Sequence, residues 1–245
     1  MNDSLSGKTI LITGAARRIG HMLALACGRA GANIIIHHGH SPAEADSLRE
    51  ELASLRAQSG VLVADLSQPE QAAALVERSA SHFGALYALI NNAAIFESLT
   101  FDETTMDDWA RHMRTNLTAP FLLSQAFARQ VPESGQGRIV NILDWRATHP
   151  RADHFAYTVS KAALAAMTKS MAVALAPRIT VNGLALGAIL PPADAPSTSD
   201  AILKRVPAQR WAEAGEVESA LLFLLQSPSY ITGEIIHVDG GRHLA

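Results

Sequence analysis

The chain has 245 residues, 48% hydrophobic and 18% charged, enough apolar material to build a core and too much for a disordered chain. Its 20 basic and 23 acidic side chains leave a net charge of −3, which gives no electrostatic case for nucleic acid or an anionic membrane as partner. One cysteine, Cys27, excludes an intrachain disulfide and a multi-cysteine metal site, and no metal is expected.

The N-terminus carries Asp3 and only a short apolar run, so it does not read as a signal peptide. No stretch approaches the ~18 apolar residues of a membrane span, and a soluble, cytoplasmic protein is expected. Short β-branched runs at residues 9–13, 33–38, 61–64, 86–91, 138–143, 179–182 and 234–238 are the candidate strands. Most are apolar on successive positions, as in strands covered on both faces. Amphipathic segments at 19–30, 43–57, 70–83, 106–130, 155–176 and 216–226 are the candidate helices between them. This alternation predicts an α/β fold, a doubly wound parallel sheet with helices on both faces, in one domain. Residues 132–137 read as a loop, and 190–200 as an irregular surface segment where such folds often place a lid.

The first strand runs into Thr13-Gly14-Ala15-Ala16-Arg17-Arg18-Ile19-Gly20, which opens a helix. N–H groups at a helix start, with the dipole behind them, favour a phosphate. A tight turn without a ligand would read the same way. After the second strand, His37-His38-Gly39-His40-Ser41 lacks the carboxylate that many NAD sites place on the ribose. Arg18, His40 and Ser41 suit a 2′-phosphate instead, which favours NADPH; solvated surface residues are the alternative. Asp65, followed by Leu66, either accepts the adenine amino hydrogen or caps the next helix. Asn91-Asn92-Ala93-Ala94 follows the fourth strand with residues small enough for a cofactor to lie on the backbone.

Tyr157 and Lys161 are spaced i, i+4 on a predicted helix and share one face. A lysine beside a phenol lowers the phenol pKa from ~10, making Tyr157 a usable proton donor.

Together with Thr13-Gly14…Gly20, Asp65, Asn91-Asn92-Ala93, Asn116, Tyr157-Thr-Val-Ser-Lys161, Val181-Asn182 and Val238-Asp239-Gly240-Gly241, this pair resembles the short-chain dehydrogenase/reductase family from Lys8 to Gly241. The resemblance implies seven parallel strands in the order 3-2-1-4-5-6-7 and hydride transfer from a nicotinamide. It implies Tyr157 as acid/base, Lys161 on the nicotinamide ribose and Asn116 holding a relay water. Cofactor contacts are expected at Gly14, Arg17, Arg18, Ile19, His38, His40, Ser41, Asp65, Leu66, Asn92, Ala93, Tyr157, Lys161, Gly187 and Ile189. In that family the helices at 106–130 and 155–176 pair across a two-fold, so a homotetramer is expected.

Three positions depart from the family pattern. Arg18 stands for the middle glycine of the turn, and Leu186 for the proline before Gly187. The catalytic serine position holds Asp144, and an ionised carboxylate cannot donate to a carbonyl oxygen. Pteridine reductases and the bacterial dihydromonapterin reductases are similar in these respects: an Arg in the turn and an Asp, Tyr, Lys set matching Asp144, Tyr157 and Lys161. Phe96 falls where pteridine reductases stack an aromatic on the pterin, although it also suits an ordinary core. With Trp145 and Asp144, it completes the expected substrate contacts. Reduction of a dihydropterin is the implied reaction. A carbonyl reductase of the 3-oxoacyl-carrier-protein or sugar/steroid type, or a non-catalytic NADP(H)-binding sensor, are the alternatives.

Overall fold

The computed structural model describes residues 5–191 and 199–245. Seven parallel strands form one sheet in the order β3-β2-β1-β4-β5-β6-β7. They are β1 (Thr9–Ile12), β2 (Asn33–His38), β3 (Ser59–Val63), β4 (Leu86–Asn91), β5 (Gly137–Asp144), β6 (Ile179–Leu186) and β7 (Ile235–Val238). Side chains alternate across the sheet even though the strands are continuously apolar. Ile10, Ile12, Ile34, Ile36 and Ile90 enter one core, and Leu11, Ile35, Leu89, Ile139 and Val181 enter the other.

Helices α1 (Arg18–Arg29), α2 (Pro42–Ser54) and α8 (Ala214–Gln226) cover the first face. Their Leu23, Leu48, Leu52, Val217 and Leu221 fill that core. Helices α3 (Pro69–Phe83), α5 (Ala119–Gln130) and α6 (Phe155–Leu175) cover the second with Leu75, Leu123, Phe127 and Ala172. Prolines open α2 and α3, where their missing N–H costs nothing. Thr105 and Asp108 form a capping box that starts α4 (Met106–Met113).

The structure departs from the sequence expectation at 106–130. The long helix is broken by a π-helical turn, Arg114–Thr118, where the Ala119 N–H reaches the Arg114 carbonyl five residues back. Pro120 has no N–H to return to the Asn116 carbonyl, which accounts for the shift in the ladder. Strand β6 extends four residues past its expected end, pairing Asp144 with Leu186 on β5 and Leu186 with Val238 on β7. A short helix α7 (Ser199–Leu203) was not foreseen. Most of the expected 190–200 surface segment lies outside the described residues. Among the described residues no helix is long and apolar enough to cross a membrane.

Candidate active site

The C-terminal ends of β1, β2, β4, β5 and β6 converge on one edge of the sheet, where open parallel sheets bind ligands. The first turn there is held from three sides. The Thr13 hydroxyl accepts from the N–H groups of Asn92 and Ala93, at 2.9 and 3.0 Å. The Asn92 amide donates back to the carbonyls of Thr13 and Gly14, at 2.8 and 3.1 Å. Below it, buried His37 takes the Gly14 N–H on Nδ1 at 3.1 Å, and its Nε2 lies 3.0 Å from the Ala64 carbonyl. These partners fix the neutral tautomer with hydrogen on Nε2. Burial pulls the His37 pKa down to about 4.

Gly14 has φ +62°, and a Cβ on Gly20 would lie 2.1 Å from the Gly14 carbonyl. Helix α1 therefore starts hard against the turn. Its first turn has no acidic residue, and no side chain caps it among the described residues. Those free N–H groups, with two exposed arginines, fit the phosphates of a dinucleotide. Arg18 holds φ +52°, the left-handed conformation at which the family places glycine.

The arginines do not divide as the sequence suggested. Arg18 crosses the cleft, and its Nη2 donates to the Pro191 carbonyl at 3.2 Å. Arg17 instead reaches Glu44 in the first turn of α2, at 3.6 Å, beside Ser41 at that helix's cap. Arg17 thus stands on the side of His40 and Ser41, and Arg18 on the side of the reacting groups. The His38 Nδ1 accepts the Ser41 N–H at 3.3 Å and shapes this corner. Asp65 does not cap α3, whose N-cap is Gln68; it closes a turn instead, accepting the Ser67 N–H on Oδ1 at 2.9 Å, and hydrogen bonds from Ser67 lower its pKa. Leu66 and Ile189 belong to the cores flanking the cleft, as Ile19 does at its edge. The Gly187 N–H is taken by the Val238 carbonyl at 3.1 Å.

The reacting groups lie where β5 meets α6. The Tyr157 hydroxyl donates to Asp144 Oδ2 at 3.1 Å. Asp144 Oδ1 accepts the Arg146 N–H at 2.8 Å, with the Arg146 guanidinium 3.9 Å away. Burial raises the Asp144 pKa against these contacts. Burial and the charge of Asp144 push Tyr157 well above 10. This reverses the expected lowering of Tyr157 by Lys161. The Lys161 ammonium points to the Ile142 carbonyl at 2.7 Å and lies 5.8 Å from the Tyr157 ring centroid. Burial pulls Lys161 down to about 8. Two of its three N–H bonds remain for the hydroxyls of a nicotinamide ribose.

Asn116 is fully buried, and its side chain is spent on protein. It donates to the Ile95 carbonyl and to Ser160 Oγ, each at 3.0 Å, and accepts the Ile95 N–H at 2.9 Å. Both amide hydrogens are thus used, and a relay water would have to donate to an Asn116 oxygen. Phe96 is 55% exposed, stacks on His154 at 4.0 Å and meets the Tyr157 ring edge-on at 4.6 Å. It is therefore not a core residue. Trp145 corrects the other way: it is only 2% exposed and cannot contact a substrate directly. Sequence reasoning missed His37, Arg146, His154 and Ser160, which carry no spacing signal and meet the site only through the fold.

The model for the family described as Enoyl-(Acyl carrier protein) reductase matches residues 14–243. The chain belongs to the short-chain dehydrogenase/reductase family. It is an NAD(P)-dependent oxidoreductase. Among relatives of this short-chain dehydrogenase/reductase, 5-keto-D-gluconate 5-reductase of Escherichia coli K12 is 34% identical over the whole of both chains. The 3-oxoacyl-[acyl-carrier-protein] reductase FabG of Pseudomonas aeruginosa is 33% identical, covering 99% of this chain and 100% of the relative. FolM alternative dihydrofolate reductase 1 from Brucella canis, solved in complex with NADP, superposes with a TM-score of 0.90 at 32% identity, covering 99% of this chain and 96% of that one.

Proposed function

We propose that this short-chain dehydrogenase/reductase reduces a dihydropterin or related pteridine with NADPH. The observation that carries the reading is the hydrogen bond from Tyr157 to Asp144, where a carbonyl reductase would present a donor. The cofactor is NADP(H), as in solved relatives, and it supplies the hydride. Gly14 and the α1 turn hold its phosphates, Arg17 with His40 and Ser41 flank the 2′-phosphate, and Lys161 holds the nicotinamide ribose.

The chain's own task is the proton. A carboxyl raised by burial keeps a proton near neutral pH more readily than a solvated one. Tyr157 and Asp144 share that proton and titrate as a pair. They deliver it to a ring nitrogen as the adjacent carbon is reduced. Ring N–H groups of a pterin supply the donors that a carboxylate needs. The exposed Phe96 face offers the flat ring a stacking partner. The pairing of helices in the wider family makes a homotetramer the proposed assembly.

A second reading, a ketone reductase, is favoured by the names of the gluconate and acyl-carrier-protein relatives. Turnover of 7,8-dihydrobiopterin and dihydrofolate against a ketone panel separates the two. Asp144→Ser should lower dihydropterin kcat/KM by ~10²–10⁴-fold, the usual worth of general acid catalysis. Unchanged dihydropterin reduction in that variant, or ketone reduction alone in the parent, refutes the pteridine reading.

A further inference from the structure

Three guanidinium groups surround one buried indole beside the proton donor. Arg242, Arg146 and Arg151 lie 4.4, 4.9 and 5.6 Å from the Trp145 ring centroid. Arg146 and Arg151 come from the segment between β5 and α6. Arg242 opens the 3-10 turn Arg242–Leu244 that follows β7. Two segments distant in sequence therefore bring positive charge around one ring. An indole face attracts a cation, but it carries no formal negative charge.

Among the described residues no side-chain carboxylate hydrogen-bonds to Arg151 or Arg242. Asp153 is taken by Arg146 at 2.9 Å and also lies 3.1 Å from His154. Asp144 accepts from Tyr157 and from the Arg146 main chain. Arg151 donates to an oxygen of the terminal residue Ala245, a carboxylate oxygen at the edge of the cluster, at 3.4 Å. The Arg242 side chain has no hydrogen-bond acceptor among the described residues, and its Nε is buried and unpaired, as is the Nε of Arg146. Arg242 is pulled below the usual arginine pKa by burial and by Arg146, with Arg151 and Arg205 adding to it and the Asp144 charge opposing. An unpaired, partly buried cation in the field of others is costly unless an anion joins it.

We propose that Arg146, Arg151 and Arg242 form a subsite for a carboxylate carried by the substrate. Arg146 fixes its place: the guanidinium lies 3.9 Å from Asp144 and 5.9 Å from the Phe96 ring. A group bound there is one side chain away from the proton donor. Guanidinium forks pair two N–H groups with a carboxylate's two oxygens, which suits this anion. The substrate class is thus a reducible ring or carbonyl with an acidic arm. This rests on the assigned place of Tyr157, not on the ring being a pterin.

Two matched substrate pairs test it: dihydrofolate, with an acidic tail, against 7,8-dihydrobiopterin, and 4-carboxybenzaldehyde against its primary amide. In whichever pair turns over, kcat/KM should favour the carboxylate by about tenfold or more, the worth of one charged hydrogen bond. The preference should collapse in Arg242→Gln, fall in the exposed-site variant Arg151→Gln, and shrink with added NaCl. Calorimetry of the NADPH complex with terephthalate against terephthalamide reads the same preference without turnover. Inert dihydropterins with a preferred acidic aldehyde refute the pteridine reading and uphold the subsite. Equal reduction of both dihydropterins upholds the pteridine reading and overturns the subsite. A carboxylate preference that survives in both variants likewise overturns the subsite.

Discussion

His37 braces the phosphate turn from beneath, and replacing it with leucine isolates that contribution. The substitution keeps an apolar bulk but strands the Gly14 N–H and the Ala64 carbonyl, now bonded at 3.1 and 3.0 Å. Each buried group left unpaired costs ~1–3 kcal/mol, so the loss at pH 7 should be about 3 kcal/mol. The pH dependence supplies the sharper test. His37 is neutral in the fold down to about 4, against 6.5 in the unfolded chain. Between those values the unfolded chain binds the extra proton, so the parent loses stability as pH falls through the window. The slope is ~1.4 kcal/mol per pH unit, or about 3 kcal/mol across it. Other titrating groups are common to both proteins and cancel. Urea unfolding at pH 7, 6, 5 and 4.5 should show a gap between parent and His37→Leu that closes toward pH 4. NADPH affinity at pH 7 should fall with the turn. A parent-like midpoint at pH 7, or parallel pH slopes, would refute the brace.

Arg17→Ala should cut the preference for NADPH over NADH by about tenfold, ~1.4 kcal/mol, and Arg18→Ala should leave most of it, read from the two dissociation constants. A preference erased only by Arg18→Ala would return the 2′-phosphate to Arg18. Tyr157→Phe should abolish turnover and retain NADPH, checked by steady-state rates and fluorescence titration; near-parent rates would remove Tyr157 as donor. Gly20→Ala should abolish cofactor binding at 25 °C while the protein stays folded by circular dichroism, because its methyl would sit 2.1 Å from the Gly14 carbonyl. Parent-like NADPH affinity in that variant would mean the turn shifts without loss.

The sheet was legible because its strands are apolar runs separated by helix-length segments, and that rhythm admits few topologies. Helical spacing paired Tyr157 with Lys161, and the resemblance to the family placed Asp144 beside them. What the sequence could not supply was direction. Adjacent Arg17 and Arg18 look equivalent in a string, yet the left-handed turn at Arg18 sends them to opposite walls of the cleft. Trp145 adjoins Asp144 in sequence but points into the interior, since neighbours leaving a strand face opposite ways. Lys161 shares a helix face with Tyr157, but its ammonium found a carbonyl closer than the phenol. His37 and Arg242 carry roles created by segments far along the chain.

Asn116 ties the two halves of the site into one mechanical unit. Its amide grips Ile95, the neighbour of Phe96, and also Ser160, whose hydroxyl donates to the Tyr157 carbonyl at 2.7 Å. The loop's Leu99 carbonyl takes the first N–H of α6, from Phe155, at 2.8 Å. Phe96 and Tyr157 therefore cannot drift independently. Substitutions at Phe96 and Tyr157 should be non-additive, and an enzyme retuned for a wider substrate by moving that loop would pay in proton transfer.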